Sequence, residues 1–262
     1  MNRIERKFEE LKAKNQKALI PFVTAGDPDF VTTEKLVLAM LQNGADLVEI
    51  GVPFSDPIAE GQVIQRASKR ALDAGTTLKN IFELIKRLRR KTDEPLLLML
   101  YINSIFRFGT ERFFGLCKEC GVDGVIVPDL PYEERGEIQS AADTAGVIPI
   151  CMVAPTSHER IKMIAPSAKG FLYCVSSTGV TGMRSSFTTD FSRFFVEIKK
   201  YANVPCVVGF GISGPEQAKK MASYCDGVIV GSAVVNIVAE KKQDSVIPVT
   251  EFVRSLSSAV KS

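Results

Sequence analysis

The sequence has no tryptophan and a single histidine, His158. One histidine and one C-x-x-C pair, Cys117 and Cys120, fall short of a structural zinc site, which needs a second ligand pair. No apolar run approaches the roughly 20 residues of a membrane-spanning helix. The opening MNRIERKFEELKAKN mixes charges at helical spacing and carries no signal-peptide core, so a cytoplasmic location is expected. Neither sign of charge dominates: 33 Lys and Arg against 30 Asp and Glu leave +3, too little for a nucleic-acid surface. There is no low-complexity linker and no break in composition. The chain, residues 1–262, is therefore expected to form one domain, a length that α/β barrels commonly fill.

The cysteines have ordinary roles. Cys151, Cys174 and Cys206 sit in apolar strand-like runs and read as small buried hydrophobes. Cys117 and Cys120 fall late in FFGLCKECG, at an apparent helix end, whereas a thioredoxin-type pair opens a helix. His158, in PTSHER, reads as a solvated residue in the first turn of a helix opened by a Thr156…Glu159 capping box.

Eight short apolar runs recur, each followed by a helix-like stretch. They are ALIPFVTAG (18–26), LVEIGVP (47–53), LLLMLYIN (96–103), GVIVPDL (124–130), VIPICMVA (147–154), GFLYCVSS (170–177), PCVVGFGI (205–212) and GVIVGSAVV (227–235). Near-continuous apolar runs mark strands covered on both faces, as in parallel sheets. The intervening amphipathic stretches end at glycines such as Gly44, Gly121 and Gly146, as helix C-termini do. Eight such units predict a (βα)8 TIM barrel. An extra N-terminal helix at 2–14 precedes the first strand and would plug the barrel bottom, with extra helices after units two and eight. The alternative is a doubly wound open sheet, since GFGISG (209–214) matches G-x-G-x-x-G. That fingerprint belongs in a first βα turn, and here it lies in the seventh unit. Together with Gly231 and Ser232 in the eighth, it fits a barrel's phosphate cradle better.

Catalytic groups of a barrel stand at the C-terminal ends of its strands. Strand two offers Glu49, strand three Tyr101 and Asn103, strand four Asp129 and strand six Tyr173. Loop two carries Glu60, and the polar loop STGVTGMRSSFTTD suits a lid. Phe22 and Phe210 would form apolar walls. Glu49 interrupts a buried run, where a charge must be paired, neutralised or used. No strand run offers it a Lys or Arg. Unpaired, its pKa would rise from about 4.3 toward neutrality, which suits a group that gives and takes a proton. Glu60 has two readings: a catalytic carboxylate, or one favoured near a helix start by the dipole alone.

These segments resemble the tryptophan synthase α-subunit family along nearly the whole chain. The matching stretches are PFVTAGDP, EIGVPFSDP, GQVIQRA, VPDLP, APTS, GVTG, GFGISGPEQA and DGVIVGSA, in order. The resemblance implies a (βα)8 barrel that cleaves indole-3-glycerol phosphate to indole and glyceraldehyde 3-phosphate, with no metal and no cofactor in this subunit. It implies Glu49 as the acid–base group, Glu60 as the carboxylate holding the indole N–H, and Tyr173 in support. Gly182, Gly211, Gly231 and Ser232 match phosphate-binding positions. Phe22, Tyr101 and Phe210 match walls of the indole pocket, and Thr181 matches a lid residue that meets the second carboxylate. The implied partner is a pyridoxal-phosphate β subunit in an α2β2 complex, contacted through Pro53, Phe54, Asp56, Asn103 and Pro131. The missing tryptophan is compatible with a tryptophan-making enzyme.

The chain departs from the family pattern at several positions. Glu60 stands in AEG where the pattern has A-D-G, and Gln62 stands where Pro is usual. Ser177 and Tyr132 also replace residues of different size. Two other functions stay open on this sequence. One is a free-standing lyase that releases indole without a partner. The other is a non-catalytic regulatory subunit, motivated by Glu60.

Overall fold

Each apolar run opens on a strand of one parallel sheet. The computed structural model describes residues 1–175, 191–209 and 211–262, apart from the His158 side chain. Its strands are β1 (Ala18–Thr24), β2 (Val48–Gly51), β3 (Leu96–Met99), β4 (Gly124–Ile126), β5 (Ile148–Pro149), β6 (Cys151–Val153), β7 (Leu172–Val175), β8 (Cys206–Gly209) and β9 (Gly227–Val230). Their hydrogen-bonded order is β5-β4-β3-β2-β1-β9-β8-β7-β6. The two ends of that order, β5 and β6, are halves of the single run at 147–154. Pro149 has no N–H to give the ladder, and the run passes there from one neighbour to the other. Ile150 N–H still donates to Val125 O at 2.8 Å, so the first half stays on β4 while the second pairs with β7. The sheet thus closes into an eight-run barrel, as the count of apolar runs predicts.

The uniform apolarity of the runs resolves into two alternating sets, as strand geometry requires. Leu19, Val23, Val48, Ile50, Leu96 and Leu98 face the helices. Ile20, Phe22, Leu47, Leu97 and Met99 face the barrel interior. Glu49 pairs in register with Phe22 and Leu97 and so belongs to the interior set.

The helices are α1 (Arg3–Ala13), α2 (Phe30–Gln42), α3 (Gln62–Asp73), α4 (Leu78–Arg89), α5 (Ile102–Phe108), α6 (Thr110–Cys120), α7 (Gly136–Ala145), α8 (His158–Ile164), α9 (Phe191–Lys199), α10 (Pro215–Ala222), α11 (Ser232–Lys241) and α12 (Val246–Val260). The extra helices predicted after units two and eight are present as the pairs α3–α4 and α11–α12. Helix α12 packs against α2 and α10 as the eighth barrel helix, while α11 lies over β1 and α3. Gly121 and Gly146 end α6 and α7 in the left-handed conformation, at φ +83° and +71°. Cys117 and Cys120 are buried on the inner face of α6.

Two local readings are corrected. Strand three ends at Met99, and Tyr101 and Asn103 belong to the start of an unpredicted helix, α5. The Ile102 N–H there donates to Asp129 Oδ1 at 2.9 Å, a contact spanning 27 residues. The Thr156…Glu159 capping box does not form. The N-cap of α8 is Ser157, whose hydroxyl instead accepts the Ala154 N–H at 3.0 Å.

Helix α1 plugs the N-terminal end, as its position ahead of β1 implies. Ile4, Phe8 and Leu11 are buried in the interior cluster, and the Phe8 and Phe171 ring centroids lie 5.7 Å apart. A capping box between Asn2 and Glu5 opens the helix, and Arg3 pairs with buried Asp123 at 3.0 Å. Phe8→Ala is expected to cost about 3–5 kcal/mol in a urea unfolding titration. A loss below about 1 kcal/mol would show that the plug adds little to the core.

Candidate active site

Glu49 stands near the C-terminal end of β2, 2% exposed and facing the interior. Its Oε2 has no hydrogen-bond partner among the described residues. Burial pushes its pKa up to about 8, and the charge of Glu60 adds to the rise. Among the described residues no Lys or Arg offsets either effect.

Glu60 closes the irregular segment between β2 and α3. It is 4% exposed, and its Oε2 also lacks a partner among the described residues. Burial pushes its pKa up to about 7. A carboxylate present only to complement the α3 dipole would be held below its ordinary value. Glu60 is shifted the other way. Burial of this kind suits a carboxylate that meets a substrate.

A cavity of about 30 Å³ lies against Glu49 at the mouth, where the strands end. Tyr173 and Glu49 supply its polar wall, Phe22 and Met99 an apolar wall, and Gly211, Gly231 and Ser232 the far side. This is room for about one water, so a bicyclic ring enters only as the walls part. Larger hollows lie elsewhere. One of about 630 Å³ sits at the plugged end beside α1, away from both carboxylates.

The far side suits an anion. Ser232 is the first residue of α11, and its N-cap, Gly231, has no side-chain cap. The first-turn N–H groups of α11 thus need an outside acceptor, as phosphate supplies. Gly211 adopts φ +79°, which only glycine takes without strain. Of the other predicted residues, Phe22 and Tyr101 are buried. Tyr101 Oη accepts the Ala59 N–H at 3.0 Å, and its ring stacks on Phe54 with centroids 4.9 Å apart. Among the positions expected to meet a partner, Asp56, Asn103 and Pro131 are exposed and Phe54 is half-buried. Pro53 is buried in the chain itself. Thr181, Gly182, Phe210 and Ser177 lie outside the described residues.

The sequence reading missed Ile64, Met99, Ile212 and Ile229 as cavity walls. Their apolarity looks the same as that of any core residue. It also missed two strand glycines. A Cβ at Gly209 would fall 2.2 Å from Tyr173 Oη, and one at Gly51 would fall 2.4 Å from Phe22 Cζ. Both glycines let an active-site ring lie flat on the neighbouring backbone.

The fold defines a TIM-barrel protein whose mouth, among the described residues, joins two buried carboxylates with partnerless Oε2 atoms to the N-terminus of α11 and apolar walls, an arrangement suited to acid–base chemistry. The comparisons narrow that class. The tryptophan synthase alpha chain family model matches residues 8–261. The tryptophan synthase alpha chain of Thermoanaerobacter sp. (strain X514) is 48% identical over 262 residues, covering 99% of this chain and 100% of its own. The crystal structure of tryptophan synthase subunit alpha from Legionella pneumophila str. Paris aligns with a TM-score of 0.89 at 35% identity, covering 99% of this chain and 98% of that one. A chain of the Pyrococcus furiosus tryptophan synthase a2b2 complex aligns with a TM-score of 0.85 at 35% identity, covering 92% and 98%. The chain belongs to the tryptophan synthase alpha chain family. It is a carbon–carbon lyase of tryptophan biosynthesis, acting on indole-3-glycerol phosphate.

Proposed function

We propose that residues 1–262 act as one catalytic domain in which Glu49 moves both protons of the retro-aldol cleavage. The neutral carboxyl of Glu49 protonates indole C3. The ring then carries a positive charge and becomes the electron sink. Glu49, now a carboxylate, assists removal of the proton from the glycerol hydroxyl next to the ring. The carbon–carbon bond breaks, its electron pair restores the indole, and the hydroxyl carbon becomes the aldehyde of glyceraldehyde 3-phosphate. Glu49 ends as it began. Because the ring accepts the electrons, the step calls on no metal and no cofactor held by this chain. Glu60 accepts the indole N–H and stabilises the positive ring. Phe22, Tyr101 and Phe210 flank the ring. Gly182, Gly211, Gly231 and Ser232 hold the phosphate, and Thr181 meets Glu60 as the lid closes. The observation that carries the reading is the pair of buried carboxylates whose Oε2 atoms lack partners among the described residues.

The chain works as the alpha subunit of an α2β2 complex. It contacts the β subunit through the face bearing Pro53, Phe54, Asp56, Asn103 and Pro131. Pyridoxal phosphate belongs to that partner. A phosphorylated biosynthetic intermediate is made and kept inside the cell, which places the work in the cytoplasm. An indole-release assay on the purified chain, with and without β subunit, tests the reading. Release is expected from the chain alone and to rise with the partner. Equal release in both arms would identify a free-standing lyase. No release in either arm, with the β reaction activated, would identify a regulatory subunit.

A further inference from the structure

We infer that Gln65 is a positioning residue for the Glu60 carboxylate. The inference rests on the reading of Glu60 as the group that holds the indole N–H. The ten residues between β2 and α3, 52–61, form no helix or strand. The Glu60 Oε2 has no partner among the described residues, so the peptide that carries the side chain helps set where the carboxylate points. That backbone is tied on both sides. Before it, the Ala59 N–H donates to Tyr101 Oη at 3.0 Å. At Glu60 itself, Gln65 Nε2 donates to the carbonyl oxygen at 2.8 Å. The Gln65 main-chain N–H takes the next carbonyl, that of Gly61, at 3.0 Å. Gln65 therefore grips two consecutive peptide carbonyls with one residue.

This is not helix capping. A capping side chain satisfies the free N–H groups of a helix's first turn. The Gln65 amide instead donates to a carbonyl outside α3, that of Glu60. The bond adds nothing to the orphan donors of the helix and acts on the loop alone. Helix α3 is a firm anchor for it. Ile64, beside Gln65, is buried at the cavity wall. Farther along the helix, Arg70 makes a two-pronged ion pair with buried Asp27, at 2.9 and 2.6 Å. Glu60 is one methylene longer than an Asp, so small tilts of its peptide move the carboxylate farther. A brace at that carbonyl matters correspondingly more.

The test is steady-state indole release by the full chain with its β subunit. Gln65→Met keeps the side-chain length and removes the donor, and kcat is expected to fall about tenfold with KM within about twofold. Gln65→Lys restores an N–H donor and is expected to recover most of kcat. In a Glu60→Ala background, Gln65→Met should cause no further loss, because there is no carboxylate left to aim. Parental kcat for Gln65→Met would overturn the inference. So would an equal loss in Gln65→Lys, or a loss in Gln65→Met matched by a lower Tm, since each marks a purely structural role. Glu60→Ala measured alongside separates the two readings. If it is inactive while Gln65→Met is fully active, only the brace falls. If Glu60→Ala is itself fully active, the reading of Glu60 falls first.

Discussion

Glu49→Gln is expected to lower indole release by roughly a thousandfold or more, within the range that a positioned proton-transfer group contributes. Glutamine matches the shape of the neutral carboxyl but has no acidic proton to give to C3. Substrate binding should change little, so a competing substrate analogue should bind within a few-fold of the parent. Near-parental turnover would remove Glu49 from the mechanism. The raised pKa values also set the pH profile. The acid form of Glu49 is lost as pH rises through about 8, and the anion of Glu60 is lost as pH falls through about 7. Activity of the free chain should therefore peak between these values. The same shift acts on stability. The folded pKa of Glu49 lies above its ordinary 4.5, so between those values the folded chain holds a proton that the unfolded chain has released. Stability then falls as pH rises through that window, by up to about 1.4 kcal/mol per pH unit for one group. Glutamine carries no such dependence. Glu49→Gln should consequently gain Tm relative to the parent on going from pH 5 to pH 8, while losing activity. A Tm difference that stays constant over that range would contradict the raised pKa.

Some of this was legible in the sequence and some was not, for identifiable reasons. The barrel could be read because each run had to be apolar on both faces, a property local to the run. Glu49 could be singled out because a charge in such a run is locally anomalous. The end of strand three could not be read. The residue that starts α5 is Asp129, 27 positions away, and no local period encodes it. The split of the fifth run depends on which neighbours flank Pro149, again a tertiary matter. Glu60 was ambiguous because its sequence context fits a helix start. Its burial, which depends on the walls around it, could not be read from that context. Gln65 lies in the matching GQVIQRA stretch but showed no role there, because an exposed glutamine gains meaning only once the carbonyl it holds is known to carry Glu60. Thr181, Gly182 and Phe210 rest on the family resemblance.

The substitution at Glu60 carries the second large effect. Glu60→Ala removes the acceptor for the indole N–H and the charge that offsets the protonated ring, and indole release should fall roughly a hundredfold or more. Glu60→Gln keeps an acceptor oxygen without the charge and should fall between Ala and the parent. Glu60→Asp should retain or raise activity. The shorter side chain draws the carboxylate back by about 1.5 Å, one carbon–carbon bond. A shift of that size can change a rate by about a hundredfold when it moves a group out of place. Here it moves the group toward the shorter Asp that the family resemblance implies, on a backbone held at Ala59 by Tyr101 and at Glu60 by Gln65. The three variants, assayed with the β subunit, separate charge, hydrogen bonding and reach. A fully active Glu60→Ala would reduce Glu60 to a buried loop residue. An N-methylated substrate sharpens the comparison, because its ring nitrogen has no N–H to donate. If Glu60 acts through that bond, the advantage of Glu over Ala should shrink on this substrate and persist only as the charge on the ring. An undiminished advantage would place the work of Glu60 on the charge alone.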